Sequence, residues 1–348
     1  MEKLQIQKFG ITKDGSKPYL YKMKNDAGME VQVSDFGATL VNVTVLDQDK
    51  NPVEVVLGYE DAAGYENGTA AIGAIVGRNA NRIGGACVTI NGIDYKLAEN
   101  DGKNNLHSGP DVYQKRMWRV VENGDDHVTF LLHSPDGDQG YPGALDMKVT
   151  YTLDEENGLT IHYEAVPDQD TVINMTNHSY FNLNGHKSGS VLHHRMQLLS
   201  DAFTPADAQS IPTGEVCSVD GTPMDFRSTK ELGAEIDAAY EPLILGNGYD
   251  HNWVLKNEGR FDKVAEVTGD ESSIVMEVWT DRPGVQVYTA NFLENEAGRN
   301  GAVYQKREAV CLETQNYPDA VHQKNFPEAI CKKGETYDTK TAYRFHIE

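Results

Sequence analysis

The chain has 348 residues, 39% of them hydrophobic, enough to bury a sizeable core, and its composition carries no mark of disorder. A formal net charge of −22 excludes the basic footprint that DNA or RNA phosphates need, so no nucleic-acid partner is expected, while a neutral polyol meets no repulsion. No stretch approaches the roughly 20 apolar residues of a membrane span, and MEKLQIQKFG lacks the apolar centre of a signal peptide.

In chain order, strands are predicted at 31–46 and 53–57. Cys87–Ile90 and Ile93–Leu97 flank Asn91-Gly92, the dipeptide of a tight hairpin. The polar connection at 98–116 is predicted to form a rim loop. Strands follow at 118–122 and 127–133. Leu145, Met147, Val149, Tyr151 and Leu153 alternate with polar neighbours, and Leu159, Ile161, Tyr163 and Ala165 resume the pattern after Asn157-Gly158. That is a second hairpin. Strand 191–199 leads into another polar connection, 200–228, again read as a rim loop. Helical periodicity is weak everywhere, and its best candidate is Thr229 to Ala239. Strands at 274–280, 285–292 and 309–314 complete the series. Many strands with Gly, Asn and Asp turns predict an all-β antiparallel sandwich or barrel. With no Pro- or Ser-rich linker, low-complexity tract or repeat, a single domain over 1–348 is expected.

The four cysteines, Cys87, Cys217, Cys311 and Cys331, contain no CxxC pair. Their spacing fits neither a zinc site nor a disulfide framework, so a reducing, cytoplasmic setting is expected. Composition sets no oligomeric state.

Four segments carry more polar chemistry than loops or strands need. Gly77 to Gly85 sets Arg78, Asn79, Asn81 and Arg82 between glycines but lacks the Gly-Lys-Ser/Thr ending of a phosphate loop. Either arginine alone fits a structural role on loop carbonyls equally well. Asn104 to Pro110 places His107 in a polar loop, where a single histidine is more often structural than catalytic. In Asn174 to Leu183, an extended backbone puts Asn174, Thr176, His178 and Tyr180 on one face, with Ile173, Met175 and Phe181 on the other. A cleft wall and a solvated sheet face both remain open there. In Val310 to Asp319, Glu313 ends an otherwise apolar strand, with Val310 and Leu312 facing away and Gln315 beside it. Partial desolvation would make that carboxylate a stronger base, although a structural ion pair fits the spacing as well. Gly248 to Asn252 and Pro283 to Tyr288 add Asp250, His251, Gln286 and Tyr288. Together these describe a neutral polar cleft suited to a polyol, where hydroxyls need donors and acceptors. Spacing alone does not separate a sugar enzyme from a sugar binder.

The motifs GRNANRIGG, NNLHSGP, TNHSYFNLNG, IPTGEV with GTPMDFR, GYDHNWVLK, PGVQVYTANF and CLETQNYPDAVHQ stand in an order that resembles the aldose 1-epimerase (galactose mutarotase) family over nearly the whole length. The resemblance implies a large antiparallel β-sandwich with an open sugar-binding cleft, and interconversion of the α and β anomers of free aldohexoses such as galactose and glucose. It implies Glu313 as the base that removes the anomeric proton and His178 as the acid that protonates the ring oxygen. It implies that His107 orients the sugar, and that Arg82, Asp250 and Gln286 bind its hydroxyls. Asn81 lies beside Arg82 in the binding loop, and Tyr180 beside His178 on the cleft wall. Ser108 departs from the pattern, since a glycine is common after this histidine. Ring opening needs only a placed base and acid, so no cofactor and no metal are expected.

Three alternatives are weighed. A hexose-phosphate epimerase would need a cationic cluster at the cleft, and the motif loops offer Arg78 and Arg82. A non-catalytic sugar-binding protein would not need Glu313 and His178 together. A metal-dependent isomerase would use His107, His178 and Glu313 as ligands, but no HxH or HxxxH spacing pre-forms that site.

Overall fold

The structure, a computed structural model, describes residues 4–348, so Met1 to Lys3 of the N-terminal segment read above lie outside it. Apolar–polar alternation is realised as antiparallel pairing. Leu145–Leu153 and Gly158–Pro167 pair without a slip from Leu153↔Leu159 to Leu145↔Pro167. Met147, Val149, Tyr151, Ile161 and Tyr163 are buried on one face of this hairpin, and its turn uses Asn157 at φ 62°, a region asparagine tolerates. The Asn91-Gly92 hairpin also forms, with φ 54° and 80° at the two turn residues, as a primed turn requires.

The larger hairpin belongs to a nine-stranded sheet. Its order is Arg119–Asn123, His127–Ser134, Leu145–Leu153, Gly158–Pro167, Tyr337–Ile347, Ile274–Thr280, Asp262–Thr268, Arg195–Leu198, Lys230–Glu231. Tyr337–Ile347, late in the chain, therefore sits at the centre, paired on both edges. A five-stranded sheet runs Cys217–Ser218, Ala202–Thr204, Asp250–Val254, Gly284–Tyr288, Cys311–Gln315. A second is built from Leu4–Lys8, Tyr19–Lys24, Glu30–Ser34, Thr39–Leu46 and Pro52–Glu54. The three sheets feed one apolar core, with Val31 and Val43, Val149, Tyr163 and Met276, and Trp253, Val285 and Leu312 all in it. This is the expected antiparallel sandwich.

Three local expectations fail. Thr229–Ala239 is not helical. Lys230–Glu231 pairs with Arg195 and Met196 at a sheet edge, and turns follow. Leu232 and Ile236 are buried at helical spacing, but Gly233 lies between them against Leu192, where an added Cβ would stand 2.9 Å from the Leu192 carbonyl. Among the described residues the α-helices are instead Ala62–Asn67, capped by Asp61, and Glu241–Gly246. The span 31–46 breaks into two strands because Gly37 and Ala38 turn through φ 73° and 46°. The connection 200–228 is more than a rim loop, since Phe203, Val219, Met224 and Phe226 all enter the core. Their apolar positions are isolated by Pro, Gly and Asp, which hid them from periodicity.

Candidate active site

Register builds the cleft floor. Asp250↔Tyr288 and Asn252↔Gln286 pair across one strand boundary, and Gln286↔Glu313 and Tyr288↔Cys311 across the next. Alternation then puts Asp250, Asn252, Gln286, Tyr288 and Glu313 on one face, while Trp253, Val285, Val287 and Leu312 point into the core. The short strand Thr176–His178 lies beside Cys311–Gln315. It is fastened by Thr176 Oγ1 donating to the Thr314 carbonyl at 2.9 Å and by the Asn316 amide donating to Asn174 Oδ1 at 2.8 Å. Ile173, Met175 and Phe181 are in the core, as an extended backbone requires.

This lateral packing brings His178 Nε2 within 3.6 Å of Glu313 Oε1, with both side chains buried. The His178 ring is stacked on Tyr180 at 5.0 Å and 15°, and the His107 ring meets it edge-on at 5.6 Å. The Tyr180 hydroxyl is committed to the Ala70 carbonyl, so Tyr180 presents its ring to the cleft. Glu313 Oε2 and His178 Nδ1 have no hydrogen-bond partner among the described residues. Burial drives both groups toward their neutral forms. The Glu313 carboxyl is raised well above the usual carboxylate range by desolvation and then by Asp250, against the pull of Arg82. Desolvation lowers His178 to about 4. Their mutual attraction, when charged, opposes both shifts.

The glycine-rich loop supplies the opposite wall. The Asn81 amide donates to His107 Nδ1 at 3.1 Å, and the His107 amide returns a bond to the Asn81 carbonyl at 3.0 Å. A backbone N–H has only a proton to give, so Nδ1 must accept and Nε2 carries the ring proton. Burial, His178 and Arg82 hold His107 well below its ordinary value, so it is a neutral donor. Arg82 lines the cleft, its Nε donating to Asp101 Oδ2 at 2.7 Å. Arg78, by contrast, is fully buried and structural. Its guanidinium donates to Ser134 Oγ, Thr171 Oγ1 and the carbonyls of Ser134, Pro135, Pro142 and Gly143. Ser108 stands at φ 71°, where glycine is favoured, and its hydroxyl accepts from the Asn79 amide at 2.7 Å and donates to the Asn79 carbonyl at 3.1 Å. Those bonds accommodate the serine, and they lie behind the cleft.

The cleft is about 350 Å³, within the range of a small-molecule site. Asn81, Arg82, His107, His178, Tyr180, Asp250 and Glu313 all line it. Gln286, on the same sheet face between Asp250 and Glu313, donates Nε2 to Asp250 Oδ1 at 2.7 Å, and its Oε1 is buried without a partner among the described residues. Burial raises the Asp250 carboxyl, opposed by Arg82 and Gln286. The sequence reading missed the rim made by Thr69 to Ala71 and by Phe292 to Glu294 with Glu296. Only Phe292, closing PGVQVYTANF, carried any signal.

Folding also gathers metal-type donors that no spacing revealed. Ligand atoms of His107, His178 and Glu313 lie within 4.8 Å of one another. They do not suit a cation as they stand. His107 spends its Nδ1 lone pair on the Asn81 amide, which leaves the protonated Nε2 toward the cleft, and a metal needs a free lone pair there.

The aldose 1-epimerase family model matches residues 19–344. Galactose mutarotase from Bos taurus is 42% identical over 330 residues, covering 94% of each chain. Aldose 1-epimerase from Escherichia coli is 37% identical over 341 residues, covering 97% of this chain and 98% of its own. Among solved structures, the aldose epimerase homologue from C. elegans superposes with a TM-score of 0.87 at 30% identity, over 94% of this chain and 98% of its own. Galactose 1-epimerase from Lactobacillus acidophilus gives 0.87 at 26% identity, over 100% and 99%. The chain belongs to the aldose 1-epimerase family.

Proposed function

We propose that this chain interconverts the α and β anomers of free aldohexoses, galactose and glucose among them, as a single catalytic domain. It is an isomerase. Glu313 takes the proton from the anomeric hydroxyl, the electron pair of the O1–H bond forms the second C1–O1 bond of the carbonyl, the bond from C1 to the ring oxygen breaks with its pair going to that oxygen, and His178 delivers a proton to it. After rotation about C1–C2, the same groups act in reverse to close the ring on the other face. Nothing is oxidised or reduced.

Burial explains how one pair serves both directions. Burial favours a protonated Glu313 and a neutral His178, which leaves the pair one proton to exchange, on the carboxyl. Passing it across the gap gives the carboxylate and imidazolium that ring opening requires, with no change in net charge. His107 Nε2–H, Arg82 and Asp250 hold the hydroxyls, Asn81 fixes His107, Tyr180 backs the His178 ring and Gln286 holds Asp250. The four cysteines are all free thiols, in keeping with a reducing, cytoplasmic setting. Among the described residues, no helix is long and apolar enough to cross a membrane.

The observation that carries this reading is the buried His178–Glu313 pair, 3.6 Å apart at the floor of a polar cleft. A non-catalytic sugar binder would have no use for it. Polarimetry on freshly dissolved α-D-galactose and α-D-glucose tests it: catalytic protein should speed the approach to the equilibrium rotation in proportion to its concentration. A relaxation rate equal to the buffer rate at micromolar protein would refute the reading.

A further inference from the structure

The last motif, CLETQNYPDAVHQ, supplies Glu313 to the mechanism, but its later residues have had no part in it. Asp319 and His322 lie at the back of the cleft wall that carries Arg82. Asp319 is buried and sits at φ 55°, a conformation aspartate tolerates better than most residues. It holds the Arg82–Gly84 segment at two points. Its backbone amide donates to the Arg82 carbonyl at 3.0 Å, and its Oδ1 accepts from the Gly84 amide at 2.8 Å. The same Oδ1 meets His322 Nδ1 at 2.7 Å, and the His322 amide donates back to the Asp319 carbonyl at 3.0 Å.

What this segment carries is the cleft's polyol-binding wall. Arg82 and Ile83 pair with Leu106 and Asn105, the residues leading directly into His107. Asn81 then exchanges two hydrogen bonds with His107. Arg82 and His107 are therefore placed by one short ladder, clamped from behind at Arg82 and Gly84. The Glu313 carboxyl lies on a different element, the strand Cys311–Gln315, which is anchored by its own register.

We propose that the Asp319–His322 pair is a positioning clamp for Arg82 and His107, so that its loss weakens sugar binding more than proton transfer. This rests on the reading of the cleft as an epimerase site. Asp319→Ala removes the acceptor shared by Gly84 and His322. His322→Ala, a change at a half-exposed residue, removes only the brace. Asp319→Asn keeps an acceptor oxygen and is the conservative rescue.

The experiment measures kcat and KM for galactose by polarimetry in wild type and all three variants, with thermal unfolding alongside. Asp319→Ala should raise KM about tenfold, equivalent to about 1.4 kcal/mol of binding, with kcat within about threefold of wild type. His322→Ala should raise KM about threefold, and Asp319→Asn should return KM close to wild type. A purely structural role would lower the unfolding temperature and leave KM alone, and that result overturns the clamp. Should Asp319→Ala fail to fold, an unchanged KM in His322→Ala overturns it by itself. Inactive wild-type protein would instead sink the functional reading, and the clamp with it. Active wild type with unaltered variants sinks the clamp only.

Discussion

Replacing Glu313 with glutamine should move activity and stability in opposite directions. The amide keeps the shape and one acceptor oxygen, but it cannot take the anomeric proton. A general base contributes about 10²–10⁴-fold, or roughly 3–5 kcal/mol of barrier, and the loss should fall mainly on kcat because Arg82, His107 and Asp250 are untouched. Stability follows from the carboxyl's burial. Its folded-state value is raised above the ordinary 4.5, so the native state keeps a proton that the unfolded chain has released. That contribution is present below 4.5 and is lost as pH rises toward the folded value. Glutamine has no proton to lose. The stability of Glu313→Gln relative to wild type should therefore climb from pH 4.5 upward, read as the urea midpoint at several pH values. His178→Asn should lose activity similarly, and the double variant should lose less than the two combined, because neither group opens the ring well alone. A folded Glu313→Gln that epimerises galactose near the wild-type rate would refute the reasoning. A variant less stable than wild type at pH 8 would show that the carboxyl is not held neutral.

Galactose 6-phosphate and glucose 6-phosphate should be much poorer substrates than the free sugars, since Glu294 and Glu296 stand on the cleft rim and Arg82 already pairs with Asp101. More efficient turnover of the phosphates in the same polarimetric assay would contradict this. Exhaustive chelation should leave kcat unchanged, and loss with rescue by one particular metal would reverse the argument from the His107 lone pair. Arg78→Met should destabilise the fold by about 3–5 kcal/mol in urea unfolding, because four backbone carbonyls lose a buried cationic donor together; a loss below about 1 kcal/mol would mean water replaces it. Burial holds His178, His194 and His251 near 4 and His107 well below its ordinary value. These lowered histidines take up protons on unfolding as pH drops from about 6.5 toward 4, while the raised carboxyls of Glu313, Asp250 and Asp35 release them, so the histidines are read individually: imidazole NMR should show the four rings still neutral at about pH 5.5. Rings that have already titrated by that pH would show the histidines charged in the native state.

The hairpins were legible because their causes are local. Leu145 to Ala165 declares both faces of a sheet through alternation, and Asn157 and Asn91-Gly92 declare the turns. What local pattern misjudged is equally physical. Leu232 and Ile236 meet the helical template by spacing, yet they are buried from a turn because Gly233 lets the chain close on Leu192. Phe203 and Phe226 look isolated among polar residues, and they enter the core because a short edge strand and its following turns are folded onto it. Spacing also left Arg78 and Arg82 equivalent. Their separation comes from where neighbouring loops stop: Arg78 meets the carbonyls of 134–143, which lie far along the chain, and Arg82 meets the cleft.

The His178–Glu313 pair was the least legible feature, for a reason that bears on how such sites are built. His178 and Glu313 lie 135 positions apart in the chain, and no property of either local segment encodes their 3.6 Å approach. It arises because Thr176 and Asn174 fasten one strand to the side of another, which aligns two otherwise independent alternations. The cost is visible in the same place. Glu313 Oε2, His178 Nδ1, Gln286 Oε1 and both amide atoms of Gln315 are buried without partners among the described residues, a concentration of unsatisfied groups that a fold selected for stability alone would remove. In most of the molecule, turn chemistry, alternation and burial agree. Where they disagree, the Glu313 carboxyl and the His178 imidazole are buried beside an open cleft, each with an unpartnered atom among the described residues, and that local inconsistency is itself the strongest physical pointer to where the chemistry occurs.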